Sequence, residues 1–506
     1  MKTIKSIVFL IFLLISTLPA FPQHTFEKVY DDLEQSEIRA VTETSNNDFL
    51  FVIHPFDECT DDYILKVSSY GDIQGAFNYE FSEGFVKLFG LFQRPAQNDF
   101  FIALAAVYDG QSATEIAIIS FDIDLNFIDE KRISFSDVVQ NMVPIVIPSA
   151  TTYDDEVAIT AHVILKTGGY GHLYTRINLD GERLALQTDD SYNTAYALTS
   201  SIACIDNYKK RFAVLNTKIE DIGTGLGIMS LVVETMDSTM MAYKSQEIDY
   251  ENTSDCPNFF FGSAETPVIK ALNDSIIIMN LRAKEYDCAN LKYFGNCLVE
   301  MDHELDITRT TFHFHEQNDI IVKIPLRNSF DLSNDYIYSC DIINLNNYHP
   351  LYKTKCLIVK YDMDMNVIWE RFVNREEGYY YPHYVLATED GGCLIAGYAC
   401  DENYMYKYSY ALKTDADGNL GVGENDYIFV RPYYVYPNPA KDFIIIEISP
   451  DVNVQGVSIY ALDGRLVKSL DLDFGTIDIS NLNAGIYIMK LRMSDGLEYS
   501  ERIVKE

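Results

Sequence analysis

Apolar and polar residues alternate along most of this chain with the two-residue period of a β-strand, and clusters of Asn, Asp and Gly interrupt the alternation at short intervals. The clearest unit is Leu357–Val373: an alternating strand, a short acidic turn around Asp362–Asn366, then a second strand. Aligned on its turn, the same shape recurs at Tyr63–Phe77, Ala117–Lys131, Leu173–Gln187, Leu231–Ser245, Cys297–Thr311 and Tyr410–Glu424. Taking Gly71, Leu125, Gly181, Ser238, Leu305, Met365 and Gly418 as equivalent positions gives seven units spaced 54, 56, 57, 67, 60 and 53 residues apart. Ahead of each unit lies another turn-then-apolar signal, such as Asn46–Ile53, Gln97–Leu104 and Glu389–Tyr398. Asn, Asp and Gly tolerate the left-handed backbone that tight hairpins demand. Two hairpins per unit make four strands per unit, and one such sheet cannot bury both its faces alone. Four-stranded units at this spacing predict an all-β, seven-bladed β-propeller over residues 24–430. The fourth unit is the weakest, so six or eight blades also fit, and an array of β-sandwiches is the competing fold.

The two ends of the chain break this pattern. Lys2 and Lys5 precede an unbroken apolar run from Ile7 to Ile15, and Ser16, Thr17, Pro19 and Ala20 follow. That order of charge, apolar core and small residues predicts a secretory signal peptide over residues 1–22. The run falls short of the roughly 18 residues that a membrane span needs, so no transmembrane segment is expected. Residues 433–506 carry five alternating runs separated by turns, which predicts a separate, small antiparallel sandwich.

Within that tail, Tyr436-Pro437-Asn438-Pro439 opens the segment, Asp463-Gly464-Arg465 marks a hairpin, Leu482-Asn483-Ala484-Gly485-Ile486-Tyr487 lies near the end, and Lys505 is penultimate. These features, in this order and at the C-terminus, resemble the C-terminal sorting domain of type IX secretion cargo in the Bacteroidetes. The resemblance implies an immunoglobulin-like sandwich and recognition by the type IX secretion machinery through Pro437, Asn438, Pro439, Asp463, Gly464, Arg465, Asn483, Gly485, Tyr487 and Lys505. It further implies passage through the periplasm, removal of the tail during export, and a secreted or outer-membrane-surface destination. Turn and core chemistry accounts for the same residues without contradiction, since Gly464 and Gly485 suit turns and Tyr487 suits a buried strand. The middle of the chain resembles kelch-like and related bacterial propellers in pattern, notably at Asp390–Tyr398 and Ala411–Leu420.

Charge then narrows the partners. There are 75 acidic against 39 basic residues, a formal net charge of −36, and such a surface repels nucleic-acid phosphates and anionic membranes. An apolar fraction of 48%, with 36 Tyr and 29 Phe, excludes a disordered chain. The nine cysteines include the near neighbours Cys288/Cys297, Cys340/Cys356 and Cys393/Cys400. Periplasmic passage permits disulfides, but connectivity is not readable from sequence.

Candidate chemistry is sparse. The acidic turns place oxygens at alternate positions, as in Asp362-x-Asp364-x-Asn366 and Asp415-x-Asp417, which is calcium-ligand spacing. The bidentate Glu of a helix-loop-helix site is missing, and hairpin chemistry explains these residues as well. No other cofactor is expected. The nine histidines are scattered, and His313 and His315 share a strand face without a further ligand beside them. Motifs for zinc proteases, serine hydrolases and nucleotide binding are absent, so no catalytic residue is assigned. Tyr379–Tyr384 and Tyr404–Tyr410 are the aromatic lead: Tyr offers stacking surface with a polar tip, although packing between blades uses it too. The sequence therefore points to an exported propeller that binds a glycan, peptide or protein. The alternative is a secreted hydrolase or lyase with its site in the propeller channel.

Overall fold

The computed structural model describes residues 24–57, 60–79, 84–94, 97–110, 112–142, 149–190, 200–221, 227–248, 258–262, 268–287, 290–316, 328–343, 355–374, 379–400, 407–420, 433–436, 440–448, 454–461, 465–471, 476–493 and 498–505. The expected signal peptide and Cys59, Cys256 and Cys288 lie outside these residues. Among the described residues every regular element is a strand. The chain divides into two compact units, Met1–Ile428 and Phe429–Glu506.

Among the described residues the larger unit contains seven antiparallel sheets. The first holds Ser36–Glu43, Phe49–Pro55, Tyr63–Val67 and Ile73–Phe77, and the next five follow the same meander along the chain. In the third and fifth sheets the leading strand is split in two, Val139–Met142 with Ser149–Tyr153 and Asn258–Gly262 with Val268–Asn273. The seventh takes Tyr379–Ala387, Cys393–Cys400 and Lys407–Thr414 from the end of the unit and Phe26–Glu34 from its start. Phe26 pairs with Lys413 and Val29 with Tyr410, so the two ends of the unit close one sheet.

Leading strands of successive sheets touch in cyclic order, and Tyr379–Ala387 of the seventh returns to Ser36–Glu43 of the first. Seven apolar clusters fill the seven seams. Leu50, Val52 and Ile64 meet Phe101, Ile119 and Phe121 between the first and second sheets. Phe26, Tyr30, Leu394 and Ala411 meet Ile38, Phe51 and Leu65 between the seventh and the first. Each sheet is thereby covered on both faces. This explains a departure from the expected alternation: second strands such as Phe49–Pro55 and Cys393–Cys400 are buried along nearly their whole length, as continuous apolar runs are when both faces pack. Alternation with exposed residues survives in outer strands such as Ile73–Phe77.

The turns that frame the repeat are the same in every sheet. In the second, Leu125 N–H donates to Asp122 O and Asp122 N–H to Asn126 O, and Leu125 has φ 63°. The corresponding left-handed residues are Gly71, Gly181, Met240, Leu305, Met365 and Gly418. In the first six sheets the turn is followed by a register shift in the third–fourth strand pair. A type I turn closed by a left-handed residue is the three-residue hairpin with a bulge. The fourth unit is thus centred on Met240 rather than Ser238, which changes its flanking spacings to 59 and 65 residues. The sequence alignment missed this because Met gives no left-handed signal. Met240, Leu305 and Met365 sit there because their side chains are buried in seams.

Among the described residues the smaller unit has two sheets, Tyr433–Tyr436, Phe443–Ile448 and Thr476–Asp478 in one, and Leu466–Asp471, Val454–Ala461, Gly485–Met493 and Glu498–Lys505 in the other. Ile444, Ile446 and Ile477 of the first share one core with Val457, Ile459, Met489, Leu491 and Ile503 of the second.

The cysteine expectations are partly corrected. Cys393 and Cys400 stand at opposite ends of one strand, roughly 23 Å apart at the rise of a β-strand, and cannot be bridged. Cys340 and Cys356 lie on adjacent strands with Sγ atoms 3.1 Å apart.

Candidate functional site

The register fixes two ends for the sheets of the larger unit. Ser36, Pro55 and Tyr63 lie at one, and Glu43, Phe49 and Val67, with the repeated acidic turns, at the other. Charged groups gather at the first of these ends, on strands nearest the ring axis. Glu37 and Arg39 stand on the leading strand of the first sheet, Lys87 on that of the second, and His383 on that of the seventh. His54 is the penultimate residue of the second strand of the first sheet, and Asp62 immediately precedes its third.

Asp62 is the hub. Its side chain is 0% exposed. Oδ1 accepts from His54 Nδ1 at 2.6 Å and lies 3.6 Å from Lys87 Nζ, while Oδ2 accepts from the Leu88 N–H at 2.8 Å. The neighbouring Asp61 accepts from the Val86 N–H at 2.7 Å. One carboxylate pair therefore ties the first sheet to the leading strand of the second. Burial pushes the pKa of His54 below its ordinary value, although Asp62 pulls the other way. Neutral His54 must carry its proton on Nδ1, because an ionised carboxylate can only accept. Burial also lowers the pKa of Lys87, against the pull of Asp62. On the seventh-sheet side, Glu37 accepts from Arg39 Nε at 2.6 Å and lies 3.3 Å from His383 Nδ1.

Beside this network is an aromatic ledge. Tyr381 stacks on Tyr398 with ring centroids 4.7 Å apart, Phe56 meets Tyr398 edge-on at 5.5 Å, and His383 meets it edge-on at 5.3 Å. Lys407 Nζ lies 4.2 Å from the Phe56 ring centre and 5.2 Å from that of Tyr398, a cation-π geometry. Phe56, Tyr381, Tyr398 and Lys407 are all half-buried. Of the other expected aromatics, Tyr380 and Tyr410 stack on each other at 4.4 Å inside the seam between the sixth and seventh sheets and serve packing. Tyr404 lies outside the described residues, as does the side chain of Tyr379.

The remaining sequence candidates separate. Asp362 Oδ1 accepts from the Asn366 N–H at 2.8 Å and Oδ2 from Asn366 Nδ2 at 3.0 Å. Asp415 does the same for Asp417 and Asn419, and Asp364 pairs with Arg309. These oxygens hold their own turns and the next sheet. His313 faces Glu370 at 3.0 Å, and the side chain of His315 lies outside the described residues. His162 and His172 face each other across adjacent strands, ring centroids 5.5 Å apart, and burial lowers their pKa values to about 4 and about 3.

In the tail, Tyr487 is buried and its hydroxyl donates to Asn483 O at 2.8 Å. Gly485 pairs with Lys505, which is buried and also bridges to Ala440, while Arg465 is exposed. Pro437, Asn438, Pro439, Asp463 and Gly464 lie outside the described residues.

Sequence reasoning missed Glu37, Arg39, Asp62 and Lys87. The one signal was the alternation of charged residues through leading strands that otherwise bury apolar side chains.

Residues 434–506 match the family described as the secretion system C-terminal sorting domain. The chain thus carries a type IX sorting tail, which directs export to the cell surface or the extracellular space. No curated protein matches the chain. Among solved structures, the alpha-L-arabinanase of Penicillium chrysogenum complexed with arabinobiose is 8% identical, with 78% of this chain and 98% of that one covered and a TM-score of 0.40. The GH93 alpha-L-arabinofuranosidase of Fusarium graminearum is also 8% identical, at 78% and 97% coverage and a TM-score of 0.41. A mutant apocarotenoid oxygenase of Synechocystis is 9% identical, at 67% and 74% coverage and a TM-score of 0.38. Likeness this weak carries no argument about chemistry.

Proposed function

We propose that the chain is an exported, seven-bladed propeller with an immunoglobulin-like sorting sandwich, and that the propeller binds a glycan or peptide on the ledge formed by Phe56, Tyr381, Tyr398 and Lys407. The seven sheets are the blades, and Phe26–Glu34 closes the last of them. On this reading residues 1–22 are the signal peptide, and the tail brings the type IX machinery to Pro437–Pro439, Asp463–Arg465, Asn483, Gly485, Tyr487 and Lys505. The observation that carries the binding reading is the half-buried stack of Tyr381 on Tyr398 with Lys407 above its edge. Rigid rings present a flat apolar surface at low entropic cost, and the ammonium adds a donor and a charge for a carboxylate or carbonyl. A sugar bearing an acidic group, or a peptide with an acidic and an apolar face, presents the matching chemistry.

The test is to screen the purified mature protein against arrays of neutral and acidic oligosaccharides and of peptides, beside its Tyr398→Ala variant. Loss of the central ring should weaken a true ligand about tenfold or more, equivalent to about 1.4 kcal/mol. Equal binding by the variant, or no binder in either array, would sink the reading.

The alternative, a secreted hydrolase or lyase, is favoured by one separate observation: a neutral His54 oriented by buried Asp62, with Lys87, Arg39 and Glu37 close by. A carboxylate that fixes the tautomer of an imidazole is how a general base is prepared. Turnover of any array member that His54→Gln abolishes, with binding retained, would establish this reading instead.

A further inference from the structure

We infer that Cys340 and Cys356 form a disulfide in the exported protein, a covalent clasp within the sixth sheet. Cys340 lies in Tyr336–Ile343 and Cys356 in Lys355–Asp362, adjoining antiparallel strands in which Cys340 faces Ile358 and Ile342 faces Cys356. The two cysteines are diagonal neighbours, and both side chains belong to the apolar cluster between the sixth and seventh sheets. Their Sγ atoms stand 3.1 Å apart, closer than two unbonded thiols prefer, and both residues are fully buried. A bond near 2.05 Å requires the two Sγ atoms to close a remaining gap of about 1 Å.

The other described cysteines offer no equivalent. Cys297 lies in the fifth sheet, Cys204 is half-buried in the fourth, and Cys400 is at the far end of its strand from Cys393. Cys393 belongs to the same cluster, but its Sγ lies 3.4 Å from Thr414 Oγ1, within its own sheet. It is the competitor that a wrong pairing would use.

Both cysteines are fully buried, so no oxidant reaches either once the seam has closed, and burial pushes the Cys340 thiol well above its ordinary pKa. The bond therefore forms during folding, in the oxidising compartment that an exported chain crosses. The oxidant is a protein disulfide of the dithiol–disulfide exchange class. One cysteine thiolate attacks its S–S bond, giving a mixed disulfide and one oxidase thiolate. The second cysteine thiolate then attacks the bonded sulfur, forms Sγ–Sγ and expels the other oxidase thiolate. The chain loses two electrons and two protons, and the oxidase gains them as a dithiol.

The experiment uses the full exported chain, quenched in acid, alkylated in denaturant without reductant and cut with trypsin, which separates the cysteines at Lys353 and Lys355. A linked peptide pair containing Cys340 and Cys356, lighter by two hydrogens than the sum of its parts and released by reductant, is the expected result. Alkyl label on both cysteines, or a link from either to Cys393, overturns it. Thermal melting gives an independent readout that does not depend on the peptides. Prior reduction in mild denaturant should lower the melting temperature of wild type and of Cys393→Ser by a few degrees, and leave the Cys340→Ser/Cys356→Ser double variant unmoved. A double variant that responds to reductant as wild type does would also overturn the clasp.

Discussion

Replacing Asp62 tests whether the buried charge network holds the first two sheets together. Asp62→Ala removes the acceptor of His54 Nδ1–H and of Leu88 N–H, and leaves Lys87 without its inward partner. Each of the two buried donors left unpaired costs about 1–3 kcal/mol, and Lys87 keeps its bond to Thr60 O, so the whole loss is about 4 kcal/mol. Unfolding entropy is about 2.1 cal/mol/K per residue, which for a unit of about 400 residues gives about 0.85 kcal/mol/K. The larger unit should therefore melt about 5 °C lower by calorimetry. Asp62→Asn keeps an oxygen for Leu88 N–H and can donate to the other tautomer of His54, so it should lose only about 1–2 °C by the same scaling. A drop under about 1 °C in Asp62→Ala, judged on that scale, would refute the reasoning. So would an Asp62→Asn variant as unstable as the alanine.

Three further perturbations have defined signs. His162 has its folded pKa lowered to about 4 by burial, so the unfolded chain binds the proton first and stability falls as pH drops from about 6.5 toward 4. The penalty at pH 5 is about 2 kcal/mol by that linkage, and His162→Phe should melt higher than wild type at pH 5 by more than it does at pH 8. Glu43 behaves oppositely: burial raises its pKa to about 7, so its stabilising contribution is present below about 4.5 and is lost as pH rises through 7. Glu43→Gln should therefore match wild type at pH 4 and exceed it at pH 8 by a few degrees, and equal melting at both pH values would contradict the assignment. At Gly418, φ is 79° and an added Cβ would lie 2.9 Å from Arg371 Cγ and 3.0 Å from the Trp369 ring. Gly418→Val should cost about 2–3 kcal/mol, seen as a melting loss of a few degrees, and unchanged melting would argue against the strained turn.

What the sequence disclosed followed the strength of local signals. The acidic turns stood out because Asp and Asn at fixed offsets close a hairpin on themselves, and six of the seven left-handed positions were placed correctly. Met240 was missed because its residue type reflects the seam it fills, a tertiary demand without local trace. The sorting tail was legible as an ordered set of motifs, and residues 434–506 match that family. The charge network was not legible. Glu37, His54, Asp62, Lys87 and His383 come from three sheets, and Glu37 and His383 are separated by most of the chain. Only ring closure brings them together, and one sequence carries no record of such distances. The tyrosines were noticed, but their division into packing (Tyr380, Tyr410) and half-buried ledge (Tyr381, Tyr398) depends on which way alternate residues of one strand point.

The pairing of Phe26 with Lys413 also sets a clock. The strand that completes the last sheet precedes every other described strand of the larger unit in the chain, and its partner emerges 387 residues later. At about 5–20 residues per second, Phe26–Glu34 waits roughly 20 to 80 s for that partner. Through that interval the first sheet has one uncovered face, with Ile38, Phe49, Phe51 and Leu65 open to any passing apolar surface. An exported chain must spend the same interval unfolded enough to be translocated. A late-closing ring turns that delay to advantage, since the larger unit cannot close before nearly all of that unit has been delivered.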